Sequence, residues 1–180
     1  MLDPFNRKSA AAAPNLPRIR LLCLDFDGVL HPSVEVADFP TAGLPLLAYI
    51  QSRPHLLRWA GLLHAAMADS DCDLIVHSSW RKEVLDSDLR RLLEPSGLAE
   101  RLVGSTPRHM AREASILEVA GIMGVAQNEL LVLDDAIHEF DLLVPQLVAC
   151  DPLRGLSDES VLTQIRERLR AGRAATTSSV

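Results

Sequence analysis

Three stretches of this chain are apolar at every position over the length of a strand and then stop abruptly at polar residues. Leu21-Leu22-Cys23-Leu24 runs into Asp25-Phe26-Asp27-Gly28, the apolar centre of the expected strand Asp73-Leu74-Ile75-Val76-His77 leads into Ser78-Ser79-Trp80-Arg81, and Leu130-Leu131-Val132-Leu133 runs into Asp134-Asp135. Apolar runs without alternation predict strands buried on both faces, the pattern of a parallel sheet covered by helices. The first strand is expected over roughly 18–24, and shorter ones near Leu102-Val103 and over 146–149 bring the total to about five.

Helical spacing fills the intervals. Leu56, Leu57, Ala60, Leu63 and Met67 repeat behind Ser52, a capping residue, with Pro54 in the first turn. A second helix is expected from Ser78 or Ser79 to about Leu93, with Leu85, Leu89 and Leu92 inward and Pro95 and Gly97 as the stop. A third spans about 111–123, with Ile116, Val119, Ala120 and Met123 on its apolar side. A last one is capped by Ser157 and turns Val161, Ile165 and Leu169 inward. This alternation predicts a single doubly wound α/β domain, Rossmann-like, with a central parallel sheet over 18–170. Residues 1–17 and 171–180 show no periodicity and are expected as flexible tails. The proline-punctuated stretch 29–53 reads as a flap over the sheet edge.

Composition narrows the class without naming a chemistry. A 48% hydrophobic and 23% charged chain of 180 residues suits one globular core. No apolar run approaches a membrane span and no signal peptide opens the chain, so a cytoplasmic address and no membrane partner are expected. Cys23, Cys72 and Cys150 follow no metal-ligand or disulfide spacing and read as core thiols. The net charge of -6 argues against a protein that coats nucleic acid through bulk electrostatics. Residues 81–112 nevertheless hold seven Lys/Arg against five Asp/Glu.

The chemistry lies where the strands end. In an open α/β sheet, ligands bind outside the C-terminal edge of the strands. Two strands that each finish in paired acids bring four carboxylates to that edge, and such a cluster repels itself unless a hard cation sits within it. Oxygen-only ligands select magnesium or a similar ion. Ser78, at the end of the second strand, is placed either to bind an anion or to cap the helix that follows.

Asp25-Phe26-Asp27-Gly28-Val29-Leu30, a strand-terminal Ser78, a basic residue at a helix start and a strand-terminal Asp134-Asp135 resemble the four motifs of the haloacid-dehalogenase-like (HAD) phosphohydrolases over roughly residues 18–170. Within that superfamily, Ser78-Ser79-Trp80-Arg81 and the late Asp151-Pro152-Leu153-Arg154-Gly155-Leu156 look like the small capless bacterial domains related to those of multidomain RNA repair proteins.

The resemblance implies a magnesium-dependent phosphatase. Asp25 would be the nucleophile that forms an aspartyl-phosphate, and Asp27 the acid that protonates the leaving oxygen and then the base that activates water. Ser78 would hydrogen-bond the transferring phosphoryl group. Asp25, Asp27, Asp134 and Asp135 make up the implied magnesium set, with the Asp27 carboxylate standing clear for its acid-base role. Ser79, Arg81 and Arg108 are the candidates for holding substrate, and Trp80 either lines the entrance or packs under the flap.

The family's usual lysine before the last acidic motif is missing, since no lysine follows Lys82. Arg112, opening the helix before the fourth strand, is the expected substitute, with Arg108 its rival. The intervals after the first motif and between the second and third leave no room for a cap. An open site favours a phosphate carried on something large, such as a polynucleotide end. Alternatives are a small-molecule (nucleotide) phosphatase and a module that keeps the phosphate- and magnesium-binding acids without turnover. A receiver domain of the response-regulator type also clusters acids on such a sheet, but the adjacent acids at strand one and the late lysine it needs are absent.

Overall fold

The computed structural model describes residues 17–171. The tails expected at 1–17 and 171–180 lie outside the described residues except for Pro17 and Ala171. Five strands, β1 (Leu21–Leu24), β2 (Asp73–Val76), β3 (Leu102–Ser105), β4 (Leu130–Asp134) and β5 (Leu147–Ala149), form one sheet in the order β3-β2-β1-β4-β5. Every pairing is parallel, with Leu24 opposite both Val76 and Leu133. This is the doubly wound topology, and the strand order reverses between β1 and β4. The uniform apolar runs have their cause here: successive side chains point to opposite faces, and both faces are covered.

Leu22, Leu24, Leu74, Val76, Leu131 and Leu133 enter one core with helices α2 (Ala60–Ala66), α3 (Asp86–Leu93) and α5 (Glu159–Ala171). Leu21, Cys23, Ile75, Leu130 and Val132 enter a second core against α4 (Arg112–Met123). Cys23, Cys72 and Cys150 are free and buried in these cores. Among the described residues no helix is long and apolar enough to cross a membrane.

Helix boundaries differ from expectation in three places, each for a local reason. The stretch 29–53 is not all loop: α1 (Leu46–Gln51) lies within it, and Ser52 ends that helix instead of starting the next. Pro54 disfavours helical backbone at Arg53, and Leu57 takes a left-handed φ of 60°, so α2 cannot begin before Ala60. After β2 a short 3-10 turn (Ser79–Lys82) precedes α3, and Leu85, expected inward, is extended and exposed while Leu89 and Leu93 are buried. Asp158, not Ser157, starts α5, its Oδ1 accepting from the Ser160 N–H at 2.9 Å.

Candidate active site

Register builds the site. The Asp25 N–H donates to the Leu133 carbonyl at 3.0 Å, extending the β1–β4 ladder by one residue and setting Asp25 beside the end of β4. Asp25, Asp134 and Asp135 there offer carboxylate oxygens all within 4.8 Å of one another. Gly28, at φ +73°, lets the chain after β1 turn beneath this group, and any Cβ there would collide with the Asp135 carboxyl. Gly155 makes a similar close approach to the backbone of Gly28 and Val29, while Leu156 N–H donates to the Val29 carbonyl at 3.0 Å. The late Asp151-Pro152-x-x-Gly155-Leu156 segment is thus a brace for the loop that carries Asp27.

Arg112 stands at the first residue of α4 and reaches across to the strands. Its Nη1 donates to Asp25 Oδ2 at 2.9 Å and to the two Asp134 oxygens at 2.7 and 2.6 Å, and its Nε lies 3.1 Å from Glu139. Asp134 also accepts from the Ala136 N–H at 2.7 Å and meets His77 Nε2 at 2.8 Å, both His77 and Asp134 being fully buried. Arg108 instead donates to the Val84 carbonyl at 2.9 Å.

The electrostatics separate the acids. Burial, then the neighbouring charge of Asp134, pushes the Asp25 carboxyl up to about 8 despite Arg112. Burial and Asp134 also raise Asp135. Burial works against charge on Asp134 as well, but its bond to His77 and the Arg112 guanidinium hold it below the usual carboxylate range. Burial keeps His77 below its ordinary value, so a neutral imidazole donates from Nε2 and leaves Nδ1 as an unpartnered lone pair.

Among the described residues, Asp25 Oδ1 is buried without a hydrogen-bond partner. An orphaned carboxylate oxygen facing two further carboxylates fits a hard divalent cation, and an oxygen-only donor set fits magnesium. Asp25, Asp134 and Asp135 would hold it.

Asp27 departs from the expected metal set. Its carboxylate accepts from Trp80 Nε1 at 2.9 and 3.1 Å and lies 3.2 Å from His31 Nε2. β1 ends at Leu24, so Asp25 and Asp27 no longer share the face that a period of two would give them. Ser78 is fully buried; its Oγ accepts from the Trp80 N–H at 3.4 Å, leaving its own proton free to donate. Ser79 is exposed on the rim.

Arg81 does not reach the entrance. It is buried, and its guanidinium donates to the carbonyls of His77, of Ser78 at 2.9 Å and of Met110 at 3.3 Å, tying the loop after β2 to the one before α4. A planar fork with five donors suits this convergence of backbone carbonyls.

Sequence reasoning passed over His77, Glu139 and His31. His77 had a readable signal, a polar residue closing a buried strand next to one that ends in Asp134. Glu139 and His31 sit in irregular segments where no periodicity marks them.

No curated protein matches the chain. A solved structure from Legionella pneumophila, described as a HAD superfamily (subfamily III A) hydrolase, is similar over 92% of this chain and 93% of its own, at 8% identity and a TM-score of 0.44. The family model of the HAD domain in Swiss Army Knife RNA repair proteins matches residues 21–161, from the first residue of β1 into the start of α5. That span takes in both acid pairs, Ser78 and Arg112, and the chain belongs to this family of HAD domains.

Proposed function

We propose that the protein is a magnesium-dependent phosphatase that works through an aspartyl-phosphate on Asp25. Membership of the HAD hydrolases supports hydrolysis in general. The observation that carries the finer reading is the buried Asp25 carboxylate, with one oxygen paired to Arg112 and the other unpartnered beside Asp134 and Asp135. Magnesium, when bound, supplies the positive charge that lets three carboxylates ionise together and neutralises the phosphoryl oxygens.

The residues divide the work. Asp25 attacks phosphorus in line and the ester oxygen leaves; water then attacks the acyl phosphate and regenerates the carboxylate. Ser78, whose oxygen already accepts from Trp80 N–H, donates its proton to a phosphoryl oxygen. Asp27 gives a proton to the leaving oxygen and takes one from the attacking water. Arg112 holds Asp25 in place and offsets charge, as lysine does elsewhere in the superfamily.

The preferred substrate is a phosphate on a large carrier such as a polynucleotide end. The intervals 29–72 and 82–111 hold short helices that join the core, and the edge of the sheet beside Asp27 opens into a cleft of about 250 Å³. The family's association with RNA repair proteins agrees with this choice. A screen of phosphate release from oligonucleotide ends, nucleotides, sugar phosphates and phosphopeptides, with and without magnesium, tests the reading. Absence of magnesium-dependent release from every class sinks it.

A further inference from the structure

We propose that Trp80 is the positioning residue of the acid-base carboxylate: its indole N–H holds Asp27 apart from the metal-binding acids and aims it at the departing group. This rests on the phosphatase reading and adds to it a residue that the motifs leave without a role.

The geometry is that of a clamp. Trp80 Nε1 forks between the two oxygens of Asp27, at 2.9 and 3.1 Å, which sets the plane of the carboxylate as well as its place. The donor cannot wander, because Trp80 is buried, packs edge-on against Phe26 at 5.1 Å between centroids and has the His31 ring at 5.6 Å. The His31 ring is fully buried, and the His31 backbone carbonyl closes the turn by accepting from the Gly28 N–H at 2.9 Å. Asp27 therefore belongs to the loop after β1 but is held by the loop after β2. Its remaining open side lines the cleft, whose far wall is Val36, Phe39 and Leu46.

Indole nitrogen donates and cannot accept. When Asp27 carries a proton, that proton cannot point at Trp80. Two directions are left to it: His31 Nε2, 3.2 Å from Oδ1, and the cleft side, where the alcohol leaves.

The test separates positioning from packing by leaving-group quality. Phenyl phosphate has a poor leaving group and needs the proton; p-nitrophenyl phosphate has a good one and needs it little. The ratio kcat/KM reports the steps up to ester cleavage. Trp80→Phe is expected to lower kcat/KM for phenyl phosphate by tenfold to a hundredfold, roughly what losing a hydrogen bond to a charged group costs, and to lower it far less for p-nitrophenyl phosphate. Should Trp80→Phe not fold, benzothienylalanine at position 80 keeps the ring and deletes only the N–H.

A second readout is independent of turnover. In 1H-15N spectra, the Trp80 indole resonance should move in Asp27→Asn while that of Trp59 stays. Equal losses for the two esters, or an indole signal unmoved by Asp27→Asn, overturns the proposal and leaves the phosphatase reading standing. A wild-type protein that hydrolyses neither ester and releases phosphate from none of the screened substrate classes removes the phosphatase reading and this proposal with it.

Discussion

Arg112 and Asp25, 87 positions apart in the chain, meet at 2.9 Å, and the same guanidinium nitrogen spans the gap to Asp134 on the adjacent strand. One cation from the start of α4 thus bridges carboxylates delivered by β1 and β4. With a side chain only 14% exposed, the guanidinium interacts with both acids in a poorly screened setting.

Arg112→Ala should consequently damage both stability and turnover. Removing one partner of a buried ionic cluster leaves uncompensated charge, at a cost of about 3–5 kcal/mol. Arg108→Ala loses a bond to the Val84 carbonyl and should change kcat little. Chemical denaturation and phosphate release on both variants check this; equal effects would mean that Arg112 does not serve the reaction.

Asp25→Asn is expected to remove turnover, by a thousandfold or more, in a protein that still folds. Its melting temperature without metal should match or exceed that of the wild type, since a buried carboxylate facing Asp134 is replaced by a neutral amide. Circular dichroism melts beside an assay of aryl phosphate hydrolysis supply both measurements.

Stability of the metal-free protein should fall as pH rises from about 6.5 to 8.5. Asp25 holds its proton up to about 8 when folded and only to about 4 when unfolded, so in this window the folded state binds more protons. His77 acts oppositely, because its lowered folded value costs stability only as pH falls below its unfolded value of about 6.5. Magnesium competes with the proton on Asp25, so its stabilising shift should grow with pH. Scanning calorimetry at several pH values, with and without the ion, checks this; a magnesium shift independent of pH would contradict it.

Gly28→Ala should destabilise by about 1 kcal/mol or more, since the residue is held at φ +73° and an added methyl meets the Asp135 carboxyl. Displacing Asp135 should also weaken magnesium binding. Gly61→Ala, where nothing lies within 4 Å of the added carbon, is the control.

For substrate size, kcat/KM should be higher for an end-phosphorylated oligonucleotide than for the matching mononucleotide, and the advantage should shrink with salt as phosphate contacts are screened. Lys82, which lines the cleft, is a candidate for such a contact. Equal values at low salt would leave a small-molecule phosphatase.

The strands, their parallel pairing and the delivery of Asp25, Asp134 and Ser78 to one edge were legible in the sequence, because a strand buried on both faces must be apolar throughout and shows where it ends. Gly28 was legible as a turn for the same local reason. Helix starts were less so: the 3.6-residue spacing from Leu56 to Met67 persists through a segment where Pro54 and a left-handed Leu57 forbid helix. Which arginine faces Asp25, where Asp27 points, and that His77 pairs with Asp134 were decided by the tertiary structure alone. Those contacts join residues 53 to 87 positions apart. They depend on strand order, on the register of β1 against β4 and on the rotation of α4, and periodicity within one segment carries no information about its angle or distance to another.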